Sequence, residues 1–434
     1  MKYDFDRIVN RRGSGCYKWD EEREDGIIPM WVADMDFQTA PAIIEALRRR
    51  VEHGVFGYSL VPDSYYEAVV SWFSRRHQWH IEREWIQYTT GVVPALSVIV
   101  KAFTEPGDKV ILQTPVYNCF FSSVRNNGCE VMASMLRQSR NPQEGNPRED
   151  NSQEGNPQEG NPREGNSQER KPREGNAQEG NGLRDGERAS LSRYTMDFAD
   201  LEAKARDPRA KLLILCNPHN PVGRVWTREE LERVAEICRK NDVIVVSDEI
   251  HNELCYRGRR YVPFGTVDME NAIVCTSPSK SFNTAGLQIA NIICKRPEWR
   301  QKIDRAININ EVCDVNPFGI VALQAAYNES EEWLDALCEY IYQNYEALCD
   351  YFGRELPKLT VMPLEGTYLV WVDVRPTGLC SDALADRLLR IGRVQVNSST
   401  MYGGEGFIRI NIACPRSQMM EGLRRIKKTI IACE

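Results

Sequence analysis

Four side chains of different chemistry occur in the same setting along this sequence: Tyr117 in TPVYN, Asn220 in NPHNPVG, Asp248 in SDEIH and Lys280 in SPSKS. Each closes or follows a short apolar run: KVILQ, KLLILC, VIVVSD and AIVCTS in turn. Continuous apolar runs separated by helical or loop sequence predict a mostly parallel sheet covered on both faces. In an open sheet of that kind, ligands bind beyond the carboxyl ends of the strands. An aromatic ring, an amide, a carboxylate and a lysine are therefore expected on one rim. Those four types suit a pyridinium cofactor that carries an aldehyde. The Lys280 amine forms a Schiff base with the aldehyde. The Asp248 carboxylate keeps the ring nitrogen protonated, which makes the ring an electron sink. An amide such as Asn220 can donate to the ring's phenolate oxygen, and an aromatic side chain such as Tyr117 can stack on the ring face. For a phosphate, Gly91, Val92 and Val93 open a helix and offer backbone N–H groups at its positive end. Ser277 and Ser279 add hydroxyls. Taken singly, each residue has a plainer reading as a surface lysine, a helix cap, an Asn-Pro turn or a core tyrosine. Their shared position after successive strands carries the argument.

The elements that position these groups are also legible. Thr39 is expected to cap a helix that opens at Pro41 and stops at Gly54. A second helix starts at Gly91, and TREELERVAEICRKN (227–241) has a Thr cap, an acidic first turn and helical periodicity. After about residue 295 the pattern changes. A long helical stretch, EEWLDALCEYIYQNYEALCDYF, precedes two alternating strands, TYLVWVDV and FIRINIAC. That predicts a smaller α+β domain beside a larger α/β one. The expected division is 46–294 for the large domain and 1–45 with 295–434 for the small one. In FIRINIAC, Ile408, Ile410 and Ile412 share one face, so Arg409 and Asn411 point to the other.

Composition narrows the class. The 434 residues carry a formal charge of -7, and no basic stripe with interleaved aromatics suggests nucleic-acid binding. The first residues, MKYDFDRIVNRRGSG, lack the apolar core of a signal peptide. The most apolar run, 92–100, is too short to span a bilayer and contains Pro94. The 14 scattered cysteines form no CxxC pair, which reads as reduced thiols of a cytoplasmic protein. His53, His77 and His80 show no metal-ligand spacing and are read as surface or packing residues, and no metal is expected. One segment stands apart. Residues 141–180 repeat a five-residue unit (NPQEG, NPRED, NSQEG and variants) without a large apolar side chain. It cannot bury a core, so residues 137–192 are expected to be a disordered insertion in a surface loop.

NPHNPVGRVW, SDEIH and SPSKSFNTAGL resemble the three signature segments of fold-type-I pyridoxal-phosphate (PLP) enzymes of class I/II aminotransferase type. The resemblance covers nearly the whole chain outside the insertion. IPMWVADMDF, FGYS, TPVYNCF, SDEIHNEL and RINIACPR are similar to the cystathionine β-lyase branch, which includes the maltose-regulon modulator. The resemblance implies the aspartate-aminotransferase-like fold and a homodimer with shared active sites. It implies Lys280 as Schiff-base lysine and proton-transfer base, Asp248 at the pyridine nitrogen, and Asn220 with His251 near the phenolate oxygen. Tyr117 would stack on the ring, and Tyr58 would reach the phosphate of the neighbouring subunit. Arg409 would clamp the substrate carboxylate, with main-chain N–H near Ala33 holding its second oxygen. Gln288 departs from the pattern, because many aminotransferases place a phosphate-binding arginine at that spacing. The implied reaction is β-elimination from L-cystathionine or related S-substituted cysteines, giving a thiol, pyruvate and ammonia. An aminotransferase using the same residues is the first alternative. A regulator that binds a transcription factor is the second.

Overall fold

The computed structural model describes residues 3–22, 24–139, 193–309, 311 and 314–432. A seven-stranded sheet forms from β1 (Ile86–Thr89), β2 (Lys109–Thr114), β3 (Glu130–Met135), β4 (Ala210–Cys216), β5 (Ile244–Asp248), β6 (Ala272–Thr276) and β7 (Ala290–Ile293). Its order is β1-β7-β6-β5-β4-β2-β3. All pairs from β6 to β3 are parallel, and β7 runs antiparallel to both of its neighbours. The four strands expected from the sequence start or end within one residue of their predicted limits.

The unbroken apolar runs have a direct cause. Successive side chains of a strand point to opposite faces, and here both faces are covered. Val110, Leu112, Leu212, Ile214 and Ile273 pack into one apolar cluster with Leu96, Ile99 and Phe120. Ile111, Leu213, Leu215, Val245 and Val274 pack into the other with Leu231, Val234 and Ile237.

Helix α1 (Pro41–His53) stops at Gly54, whose φ of 74° suits a residue without a side chain. Its start corrects an expectation. Ala40 is the N-cap, and Thr39 instead donates its hydroxyl to the Phe282 carbonyl at 2.6 Å. Pro41 already begins the helix without needing a capped N–H, so Thr39 is free to tie the N-terminal segment to the loop that carries Lys280. Helix α2 (Val92–Phe103) has Gly91 at its N-cap. Helix α3 (Arg228–Lys240) opens with a capping box: Thr227 accepts from Glu230 N–H, and the Glu230 carboxylate accepts from Thr227 N–H. Such a cap contributes about 1 kcal/mol.

A second, antiparallel sheet contains β8 (Thr360–Val361), β9 (Leu369–Asp373), β10 (Asn397–Ser398) and β11 (Phe407–Asn411), in the order β8-β9-β11-β10. The long helix Glu331–Glu355 and the helix Arg416–Ile431 pack together beside it. Helix α1, through which the expected boundary at 45/46 passes, is unbroken and packs against the helix Pro317–Glu329. Residues 31–37 form an aperiodic strap between the two sheets. Asn411 donates to the carbonyls of Val32 and Asp34, while Asn283 bonds the main chain of Met35 and Phe37.

Residues 137–139, expected inside the insertion, are an ordered strand paired with 193–195. Buried Leu136, Tyr194 and Met196 anchor this ribbon, which explains why pairing extends past the last large apolar residue. The pentapeptide repeat lies outside the described residues. Among the described residues, no helix is long and apolar enough to cross a membrane.

Candidate active site

A cavity of about 270 Å³ lies beyond the carboxyl ends of the central strands. Tyr117 after β2, Asn220 after β4, Asp248 at the end of β5, and Ser279 and Lys280 after β6 all reach its wall. Ala33, Gly91, Val92, Val93 and His251 line it as well. The strand-end rule therefore brings residues from four separate segments to one place.

The charged groups here are held close to neutrality. Burial pushes the Lys280 amine down to about 8, opposed by Asp34 and Asp248 and assisted by Arg409. Burial pushes the Asp248 carboxyl up to about 7, against the Ile250 N–H and the charge of Lys280. Burial also lowers the His251 imidazole, and the positive charges of Lys280 and Arg409 add to that. A neutral amine is the form that attacks a carbonyl or takes a proton. Lys280 Nζ donates to the Ala33 carbonyl at 2.6 Å, so the amine is aimed as well as deprotonated with ease. The Tyr368 hydroxyl donates to the same carbonyl at 2.9 Å. Tyr117 is largely buried and packs edge-on to Phe120, with ring centres 5.9 Å apart.

Arg409 lies behind the wall rather than on it, 3 % exposed. Its Nη1 donates to Asn220 Oδ1 at 3.0 Å, and its Nη2 to the Trp31 carbonyl at 2.7 Å. Its guanidinium lies over the Tyr402 ring, 4.8 Å from the centroid. A guanidinium only donates, so this contact fixes the orientation of the Asn220 amide and leaves its NH2 end for a ligand. Both faces of β11 are buried, and the strand alternation therefore separates two interiors. Ile408 and Ile410 enter the apolar core, while Arg409 and Asn411 meet the strap and the site.

At the other end, Thr90, Gly91, Val92 and Val93 line the cavity at the start of α2. Pro94, the third helical residue, has no N–H, so Val92 and Val93 supply the free donors of the first turn. Gln288 lines this region as a neutral amide. Ser277 stands behind the wall. Its hydroxyl donates to the Ile289 carbonyl at 2.7 Å and therefore accepts from the Ser279 hydroxyl at 2.6 Å, which orients Ser279. Tyr58 is fully exposed and does not line the cavity within this chain.

Several residues of the site escaped the sequence reading. Cys216 lines the cavity and accepts the Asn220 N–H at 3.4 Å. Thr90, Ile250 and Ala285 complete the wall. Tyr368, Tyr402 and Asp34 act from behind it. Cys216 and Tyr368 belong to apolar strand sequence, where nothing in the local pattern separates a site residue from a core residue. His77, read as a surface or packing residue, bonds buried Glu253 through Nε2 at 2.7 Å.

The sequence profile of the aminotransferase class I and II family matches residues 26–145 and 178–426. The gap between the two matched stretches falls within the repeat. The chain is 37% identical to cystathionine β-lyase PatB of Bacillus subtilis (strain 168), covering 98% of this chain and 99% of that protein. Among solved structures, cystalysin from Treponema denticola, which contains pyridoxal 5′-phosphate, superposes with a TM-score of 0.85 at 31% identity over 100% of both chains. A PLP-bound C–S lyase from Staphylococcus hominis, complexed with the inhibitor L-cycloserine, gives a TM-score of 0.82 at 30% identity over 99% of each chain.

Proposed function

The chain belongs to the aminotransferase class I and II family, and within it we propose a PLP-dependent carbon–sulfur β-lyase. Its substrates are L-cystathionine or related S-substituted cysteines, and its products are a thiol, pyruvate and ammonia. The observation that carries this reading is half-buried Lys280 and buried Asp248 facing one small cavity in a chain similar to such lyases along its whole length.

The residues fit the cofactor. His251 Nδ1 and Arg409 Nε are buried without a partner among the described residues. The Asp248 carboxylate accepts from the Ile250 N–H at 3.1 Å and has a second oxygen for a pyridinium N–H. Lys280 would hold the aldehyde carbon, Asp248 the ring nitrogen, Asn220 and His251 the phenolate side, and Tyr117 a ring face. The N–H groups of Gly91, Val92 and Val93 would hold the phosphate, joined by the Ser279 hydroxyl on turning its proton from Ser277, and a neutral Gln288 leaves the charge balance there to the helix dipole. When bound, the cofactor supplies an electron sink for negative charge at the substrate Cα.

The chain's own groups then divide the work. Arg409 fixes the substrate carboxylate, with main-chain N–H near Ala33 for its second oxygen. Lys280 Nζ takes the proton from Cα, which its depressed pKa permits near neutral pH. Asp248 keeps the ring nitrogen's proton in place. The Cβ–S bond breaks, the thiolate leaves with the bonding pair and takes up a proton, and the released three-carbon enamine acid is hydrolysed by water to pyruvate and ammonia.

The same reading makes the working unit a cytoplasmic homodimer, in which the partner subunit's Tyr58 reaches the phosphate. Exposed Val55, Phe56, Tyr58 and Leu60 in one short stretch support such an interface. It also takes 46–294 as the large domain and 1–45 with 295–434 as the small one. The test is direct. Protein loaded with PLP is given L-cystathionine and no keto acid, and pyruvate is assayed. Pyruvate release supports the lyase. Turnover that strictly requires a keto acid would overturn it in favour of an aminotransferase.

A further inference from the structure

On a different part of the molecule, a polar cavity of about 370 Å³ is walled by Arg76, Arg228, Arg259, Arg260 and His77. The acidic group on this wall is Glu253, and both of its oxygens are engaged: one by Trp72 and His77, the other by Arg76. Arg76 is further matched by Glu331 and Asp335. The remaining guanidiniums are less well matched. Arg259 reaches Glu365 at 3.3 Å, a carboxylate that also binds Arg224, and Arg228 reaches Glu232 at 4.0 Å. Arg260 is exposed and has no acidic partner among the described residues. Asn252 provides a second, independent observation. Its side chain lines the same cavity, is 2 % exposed, and its Nδ2 has no partner. The Glu253 N–H must meet the Asn252 oxygen, at 3.0 Å, so the unpaired end is the donor end.

We propose that this cavity is a binding site for a tetrahedral oxyanion: phosphate, sulfate or the phosphoryl group of a small metabolite. The guanidiniums of Arg228, Arg259 and Arg260 supply fork-shaped donors that match such an anion, and the buried Asn252 amide supplies a neutral donor from the floor. The site is joined to the candidate active site by one stretch of chain. Asp248 and His251 face the first cavity, while Asn252, Glu253 and Cys255 face the second. An anion held by Asn252 therefore contacts the same stretch of chain that holds Asp248.

Cofactor-loaded protein tests this, because its own phosphate site is then filled. Thermal unfolding is followed with inorganic phosphate, sulfate or phenyl phosphate, each against sodium chloride at equal ionic strength. A saturable rise in the midpoint is expected. In the exposed double variant Arg228→Gln/Arg260→Gln the apparent affinity should fall at least tenfold. A stronger effect of phenyl phosphate than of inorganic phosphate identifies a phosphate monoester as the natural ligand, and equal effects identify the free anion. No saturable rise, or an equal rise in the double variant, overturns the proposal.

Discussion

Lys18 is buried and Lys280 is half-buried in the cavity wall, and their surroundings drive the two amines in opposite directions. Lys18 is raised above its ordinary value although burial opposes this, because Asp36 and Asp34 stand at 3.0 and 3.3 Å. Asp36 in turn is held below the usual carboxylate range although burial raises it, since Lys18, Trp19 and Arg11 all bond it. Gln418 adds a further donor at 2.8 Å. In the cavity the balance reverses. Burial lowers Lys280 to about 8 and raises Asp248 to about 7, and no direct ion pair offsets it. Loss of water around an amine therefore has two outcomes. Where partners are complete, charge is kept and the group is structural. Where they are incomplete, the charged form is weakened, and the group titrates near neutral pH, ready for a ligand or a proton.

That contrast can be broken or sharpened by experiment. The largest effect is expected for Lys280→Ala, which should lower pyruvate formation by about 10³-fold or more with little change in the unfolding midpoint. Activity equal to wild type would remove the enzymatic reading. Asp36→Asn should do the reverse. It leaves Lys18 buried with Asp34 alone and should destabilise the fold by about 3 kcal/mol in urea unfolding, whatever the substrate. A neutral outcome would show that the N-terminal charges are not a structural unit.

Arg409→Lys should come next. It loses the two-point grip on a carboxylate and the contact that orients Asn220, so kcat/KM should fall by about 10²-fold, with KM carrying much of the change. An unchanged KM would move the carboxylate site elsewhere. The smallest effect is a pH dependence. The folded pKa of Asp248 is raised, so ionisation costs the cofactor-free protein stability as pH climbs from about 4, its unfolded value, to about 7. Asp248→Asn should thus be more stable than wild type above pH 7, by about 1–3 kcal/mol, and no more stable at pH 4. Asp36, with a lowered pKa, stabilises the fold above the unfolded value and loses that contribution as pH falls through its folded one. A urea midpoint measured across pH in both variants separates the two signs.

Much of the site was legible because the large sheet obeys a local code. Apolar runs such as KLLILC mark buried strands, and the first polar residues after them mark the rim, which is how Tyr117, Asn220, Asp248 and Lys280 were found. The code fails for residues that reach the site from inside an element or from the strap. Tyr368 and Cys216 look like core. Asp34 sits in an aperiodic segment whose role depends on what packs above it. Thr39 has the right type for a cap, but Ala40 takes the N-cap position, and the Thr39 hydroxyl donates to the carbonyl of residue 282 instead. Ser277 has the right type for a phosphate, but its hydroxyl is committed to Ile289.

By itself, then, the order of residues determined the α/β layering, the strand ends and the chemical types gathered at the rim, because periodicity and turn chemistry act over a few neighbours. Only the tertiary structure decided that Arg409 meets Asn220 and that Lys280 meets the carbonyl of Ala33, partners 189 and 247 positions apart. It also decided which buried charges are kept and which are given up. Both outcomes depend on how completely water is replaced by partners brought from distant parts of the chain.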